Sequence, residues 1–382
     1  MTKFIAPEYL FDGDQLLQNV VIEIADGEVK NIHHGSALLN NERVTKVAGI
    51  LSPGFIDVQV NGGGGVLFND EPNLEGLRVI SQAHRESGTC HILPTIITDS
   101  IEVMEQAANT VAAAIESKYK GILGVHFEGP HISIPKKGVH PEPFIRALSC
   151  REKALYARTD IGIKLITLDP GLVSKDDIQY LIKHNCVVCI GHTNASYQVC
   201  SDAIEVGAKG FTHLYNAMSP LTGREPGAVG AALNHDSVYA GIILDGFHVD
   251  YASAKLAWRV KNSKVSTTTI DSGKLFLVSD AMSSIGSDQT RFNLFGQTVT
   301  VNKGKLTNEF GTLAGAHLNL LMAVQNAHHG LQISLEESLR MAITYPAQFL
   351  KLDSKVSSVT VGTQANFIQL DTQLNLINQH SY

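Results

Sequence analysis

The sequence predicts an α/β protein: a (β/α)8 TIM barrel with a small β-sandwich domain formed by both chain ends. Three observations predict it. Between residues 52 and 351, eight short apolar runs alternate with longer stretches of helical patterning. Six of the eight runs finish in a side chain able to bind a metal or move a proton, all at the same end, where barrel enzymes keep their chemistry. Residues 1–51 and 352–382 instead alternate with the two-residue period of strands. The expected division is therefore a small β-sandwich domain from 1–51 and 352–382, and a metal-dependent catalytic barrel from 52–351.

The bulk numbers exclude several classes. At 382 residues the chain can bury a full core, and 44% hydrophobic with 18% charged residues is neither a disordered nor a membrane composition. A net charge of −7 argues against a general nucleic-acid binder but leaves room for a small anion held by local cations. The first fifteen residues contain Glu8, Asp12 and Asp14 and no apolar segment, so no signal peptide is expected; no run approaches the ~20 residues of a membrane span. Five cysteines without a regular framework suggest reduced thiols and a cytoplasmic location. Cys186 and Cys189 mimic a CxxC, but three residues apart in a strand they point to opposite faces.

Taken in order, residues 1–50 read as a meander, with Asp26-Gly27 as the turn of a hairpin across 19–30. The barrel runs follow at 55–60, 92–98, 122–127, 163–168, 187–190, 210–214, 238–244 and 275–278. Helical patterning fills 75–87, 101–117, 151–158, 175–184, 197–207 and 251–261, then 316–328 and 335–342. A doubly wound open sheet is the rival, but 62–65 lacks the GxGxxG spacing of a dinucleotide loop and no phosphate-loop Lys-Ser/Thr follows. Those four glycines are read as a tight backbone turn above the first strand. Residues 262–273, rich in Ser, Thr and Lys, read as an exposed connection, and 352–382 rejoin the N-terminal sheet with Gly362 in a turn.

The run ends carry the chemistry. Strand one ends in Asp57-Val-Gln59-Val-Asn61, strand three in Glu128, strand five in His192, strand six in His213, strand seven in Asp245-Gly-Phe-His248 and strand eight in Ser279-Asp280. Gly129-Pro130 stops the third strand just after its carboxylate. A buried carboxylate is costly unless something positive meets it. One Glu and two His on separate strand ends is the donor set of a catalytic metal site with a position left open. Each His alone could be a hydrogen-bonded core residue, and Asp280 could be a helix N-cap. Together at one barrel mouth they read as metal ligands Glu128, His192 and His213, with Asp280 as general base. His126, two residues before Glu128, shares its face one layer deeper and reads as core. His84, His91, His131, His235, His317, His328 and His329 read as structural or surface residues.

Several blocks are recognisable. Leu51-Ser-Pro-Gly-Phe-Ile-Asp57, His126-Phe-Glu-Gly-Pro130, Gly191-His-Thr-Asn-Ala195, Thr212-His-Leu-Tyr-Asn-Ala-Met218, Gly223-Arg-Glu-Pro-Gly227 and Asp245-Gly-Phe-His248 together resemble the N-acetylglucosamine-6-phosphate deacetylases of the amidohydrolase superfamily. The resemblance covers essentially the whole chain. It implies hydrolysis of the acetamide of N-acetyl-D-glucosamine 6-phosphate to D-glucosamine 6-phosphate and acetate, in amino-sugar catabolism. It implies that Asp280 is the catalytic acid/base and that Arg224 and His248 hold the 6-phosphate, one of them lent by a neighbouring subunit of a dimer or tetramer. Val139-His140, Asn216-Ala217 and Leu313-Ala314-Gly315 would surround the sugar and acetamide. Many superfamily members end strand one in His-x-His; this chain has Gln59 and Asn61, a vestigial second metal position, so one divalent metal per subunit is implied. Zinc is the first choice for a Glu-His-His set, and iron, cobalt or manganese accept the same donors. Ala314-Gly315-Ala316-His317 departs from the Ser-Gly-Ser-Ser frequent in the family, so only backbone contacts would survive there. The alternatives are another amidohydrolase, acting on N-acetylgalactosamine 6-phosphate or a cyclic amide or as a deaminase, and a non-catalytic barrel scaffold. No nucleic-acid or membrane partner is expected.

Overall fold

The computed structural model describes residues 2–35, 42–262 and 273–382. Eight parallel strands pair in sequence order: Phe55–Val60, Thr89–Ile97, Gly124–Glu128, Ile163–Leu168, Cys186–Ile190, Gly210–Phe211, Tyr239–Ile243 and Leu275–Val278. All eight coincide with the apolar runs. Buried on both faces, such strands carry no alternation and read as continuous apolar segments. The eighth and first strands close the barrel only at its mouth, where Asp280 N donates to Gln59 O (3.0 Å) and Asn61 N donates to Ala281 O (3.0 Å). The backbone of the predicted acid/base is therefore the barrel's last seam.

The amphipathic stretches form the surrounding helices, and side chains just before them satisfy their first backbone donors. Ser100 accepts from Val103 N, Ser174 from Asp177 N and Asp250 from Ala252 N, while Ser149 and Glu152 make a reciprocal capping box. Two helices escape the periodicity. Gly227–Asn234 is Gly-Ala-Val-Gly-Ala-Ala-Leu-Asn, apolar nearly all round and mostly buried, so no polar face marks it. Thr344–Phe349 is short and contains Pro346 in its first turn, where proline is tolerated.

The two chain ends pair into one sheet of seven strands with its own apolar core of Ile5, Leu10, Val20, Ile22, Ile24 and Phe367. The hairpin expected across 19–30 forms, from Val20–Ala25 and Glu28–His34. The rest of residues 1–50 is not a simple meander. Val44–Ser52 pairs parallel with Lys3–Phe11 and antiparallel with Asn366–Leu370, because it must run directly through Pro53-Gly54 into barrel strand one. A three-stranded antiparallel sheet, Arg291–Leu294, Gln297–Asn302 and Lys305–Asn308, follows strand eight and was not expected. Its turn signals are in the sequence: Lys303 and Gly304 take φ of 49° and 81°, a pair typical of two-residue hairpins. The glycines at 62–65 make a small hairpin of Gly62–Gly63 with Val66–Leu67. Most of the 262–273 connection, residues 263–272, lies outside the described residues.

Candidate metal centre and active site

The last residue of the third strand, Glu128, and His192 and His213, two residues past the ends of the fifth and sixth, meet at one point. Glu128 Oε1 lies 3.0 Å from His213 Nε2 and 3.4 Å from His192 Nε2, and the two imidazole nitrogens are 3.1 Å apart. All three residues are buried. His192 Nδ1 donates to the carbonyl of Lys136 (2.8 Å), which fixes the ring with Nε2 facing the cluster; with a cation bound there, Nε2 would give up its proton and offer a lone pair. Two ring nitrogens and a carboxylate oxygen packed this closely want a cation among them. The donor set fits a divalent metal with an open position. His140 approaches the other carboxylate oxygen, Nε2 to Glu128 Oε2 at 4.0 Å, and Glu128, His140 and His192 also lie close enough to share one ion.

The electrostatics follow from this crowding. Burial alone would raise the Glu128 carboxyl, but the hydrogen bonds and charge of His192 and His213 outweigh it and hold Glu128 well below its usual range. Burial would lower His213, and the bond to Glu128 with the nearby carboxylate charge reverses that, so His213 is raised. His140 is pushed well below its ordinary value by burial and then by the charge of His192. Its Nδ1 is bonded to Thr98 Oγ1 at 2.8 Å.

Asp280 sits beside this cluster. Burial and then the charge of Glu128 raise it to about 6. Its Oδ1 accepts from Asn61 Nδ2 (2.6 Å) and Gln59 Nε2 (3.1 Å), and Gln59 Nε2 also donates to Glu128 Oε1 (2.8 Å). Strand one thus turns amide nitrogens, which are donors, toward the two carboxylates. His192, His213 and Asp280 all take left-handed backbone conformations, with φ of 47°, 35° and 51°. Such conformations are uncommon for residues other than glycine, and three of them meeting at one barrel mouth is the pattern of a functional site.

A cavity of about 150 Å³ opens over the cluster. Val139, His140, Asn216, Ala217, His248, Leu313 and Gly315 line it together with Asn61, Glu128, His192, His213 and Asp280. Ala314 is buried behind that lining. His248 Nδ1 is bonded to Asp245 Oδ2 (2.7 Å), and Asp245 Oδ1 also accepts from the backbone N–H groups of Phe247 and His248, which fixes that loop. Arg224 is not brought to the cavity of its own chain; it is exposed on the loop before Gly227–Asn234. Ile97, Ile243 and Met282 line the cavity and were missed. An apolar side chain at a strand end looks like any core residue, so nothing in the sequence marks them.

The chain matches the amidohydrolase family over residues 50–381. It is 44% identical over 359 residues to the N-acetylgalactosamine-6-phosphate deacetylase of Shewanella sp. (strain ANA-3), covering 93% of this chain and 89% of that one. It is 34% identical over 319 residues to the N-acetylglucosamine-6-phosphate deacetylase of Haemophilus influenzae, covering 83% and 81%. Among solved structures, that of N-acetylglucosamine-6-phosphate deacetylase from Pasteurella multocida superposes with a TM-score of 0.92 at 34% identity, over 100% of this chain and 98% of that one.

Proposed function

The chain belongs to the amidohydrolase family, and from that premise we propose that it hydrolyses the acetamide of N-acetyl-D-glucosamine 6-phosphate to D-glucosamine 6-phosphate and acetate. The observation that carries the reading is the convergence of Glu128, His192 and His213 within 3.4 Å, with Asp280 at the same mouth. Glu128, His192 and His213 would hold one divalent cation per chain, zinc by preference for this donor set. A bound cation there polarises a carbonyl oxygen and brings the pKa of water to ~7.

The chain's own residues do the rest. An amide resists hydrolysis because its carbonyl is weakly electrophilic and its amine leaves poorly. Asp280 takes a proton from the attacking water at the free side of its carboxyl and returns it to the departing amine. Asn61 and Gln59 hold its other oxygen, so the carboxyl is aimed before substrate arrives. His140, held at Nδ1 by Thr98 Oγ1, would line the pocket wall beside the acetamide. His248 faces the 6-phosphate from within the pocket, fixed by Asp245. Arg224, exposed and outside the cavity of its own chain, would complete the phosphate site of a neighbouring subunit with its planar fork of donors. The enzyme would then work as a dimer or tetramer. No helix among the described residues is long and apolar enough to cross a membrane.

A second reading rests on one observation: the relative at 44% identity is an N-acetylgalactosamine-6-phosphate deacetylase. The two sugars differ at one stereocentre. Acetate release measured on both 6-phosphates, and on unphosphorylated N-acetylglucosamine, tests the readings. A higher kcat/KM on the galacto epimer would replace the first with the second, and no release from any of them would refute both.

A further inference from the structure

The barrel's opposite end carries a second cavity. Strand two begins there with Thr89, Cys90 and His91, and the C-terminal strands Asn366–Leu370 and Leu376–Ser381 of the seven-stranded sheet lie across it. The space is about 340 Å³, larger than the about 150 Å³ over the metal cluster and within the range of sites that take small molecules. Its lining includes Arg85, His91 and Lys120 and, among the described residues, no carboxylate. In a chain of net charge −7 this is a local reversal of sign.

Among the described residues neither Arg85 nor Lys120 has a carboxylate within ion-pair distance. Arg85 Nη2 donates to the carbonyl of Lys120 (3.1 Å), which ties the guanidinium to the cavity wall, and Gln379 Nε2 donates to the carbonyl of Arg85. The His91 ring lines the cavity with a buried Nδ1 that has no hydrogen-bond partner. The Arg85 charge reaches both neighbours on strand two: burial and then Arg85 lower His91, and Arg85 opposes the rise that burial gives Cys90. An orphaned buried donor or acceptor costs free energy, and so does a cation held at a concave surface without a counter-charge. A ligand with several anionic oxygens supplies the missing counter-charge. The hollow continues into a neighbouring lobe that shares Cys90, His91 and Asn366 and adds Glu28 and Asp353. That lobe offers acceptors for the hydroxyl or amine groups of a larger molecule.

We propose that this basal cavity is a second, non-catalytic binding site for a small phosphate-bearing molecule, with the phosphate held by Arg85, Lys120 and His91. Two cations at the rim of a small hollow suit a small anion, whereas a polyanion would need an extended basic face. The site is independent of the deacetylase reading, since none of its residues touches the metal cluster.

Calorimetric titration of the metal-loaded protein with inorganic phosphate and, separately, glucose 6-phosphate tests it. Besides any equivalent taken up at the active site, the wild-type protein should bind one that the Arg85→Gln/Lys120→Gln double variant binds at least about tenfold more weakly, since charge-assisted hydrogen bonds to the anion are lost. Acetate release by that variant should be unchanged. Binding of the sugar phosphate tighter than phosphate identifies an ester as the ligand, and the reverse identifies the free anion; either supports the site. Superimposable isotherms for wild type and double variant overturn it. Cys90 locates the event: with ligand at ten times its Kd, maleimide labelling of Cys90 should slow about tenfold, while the exposed Cys150 is unaffected. Unchanged labelling of Cys90 at saturation would also overturn the assignment.

Discussion

Replacing Asp280 by Asn isolates proton transfer from architecture. The two side chains have the same shape, and the native contacts decide what is kept. Asn61 and Gln59 both donate to Oδ1 of Asp280, so the introduced amide can present its carbonyl oxygen to them and turn its NH2 toward the pocket. The barrel seam runs through the backbone N–H of residue 280 and is untouched. Glu128, His192 and His213 converge on one another without help from Asp280. Metal content and folding should therefore survive while the carboxylate proposed to take the proton is lost. General acid/base catalysis contributes ~100- to ~10,000-fold, equivalent to ~3–5 kcal/mol of barrier. The assay is steady-state acetate release with metal quantified on the same preparation. A fall in kcat of that size at unchanged metal and near-constant KM is expected. A kcat within a factor of a few of wild type would refute the role, and a parallel loss of metal would mean that Asp280 is a ligand.

Other outcomes follow from the same geometry. Arg224→Ala should raise KM for the 6-phosphate ~10- to ~100-fold, the worth of a charge-assisted bidentate contact, and leave unphosphorylated substrate nearly unaffected. Mixing Arg224→Ala with Asp280→Asn subunits should restore activity if the arginine acts across subunits, and an inactive mixture would return it to its own chain. Metal analysis should find one tight ion per chain, removed by chelator together with activity and restored by zinc; two tight ions would make strand one a ligand pair. Burial lowers His84, His126 and His131 to about 4, below the ~6.5 of an unfolded histidine. Above pH ~6.5 neither state binds the proton; as pH falls from there toward 4 the unfolded state takes it up first, so stability is lost by up to ~1.4 kcal/mol per pH unit for each histidine. Denaturant unfolding at a series of pH values should show that slope, and His84→Gln should reduce it by about one proton; an unchanged slope would remove His84 from the account.

Much of this was legible in the chain because its physics is local. A strand buried on both faces reads as an unbroken apolar run, and the polar residues just beyond it stand at the barrel mouth. Glu128, His192, His213 and Asp280 all lie within two residues of such an end. The hairpin at Asp26-Gly27, where both residues take positive φ, is legible in the same way. Where patterning carries no contrast, reading fails. The helix Gly227–Asn234 has no polar face to reveal it, and the three-stranded sheet after strand eight sits where the eight-unit rhythm has already ended.

Distances between residues remote in sequence belonged to the tertiary structure alone. Gln59 and Asp280 are 221 positions apart and exchange a hydrogen bond. Which end of the Gln59 and Asn61 amides faces the carboxylates depends on how the first and eighth strands are staggered at the seam. The approach of His140 to Glu128 depends on a loop folding back over strand three. Arg224 lies in a recognisable block, yet only the folded chain shows that its own cavity lies elsewhere. The basal cavity exists because the C-terminal strands, paired onto the N-terminal sheet, also cover the start of strand two. By itself the sequence determined which side chains stand at strand ends, because that needs only the period of one element. The curvature and closure of the whole sheet decided which of those ends meet.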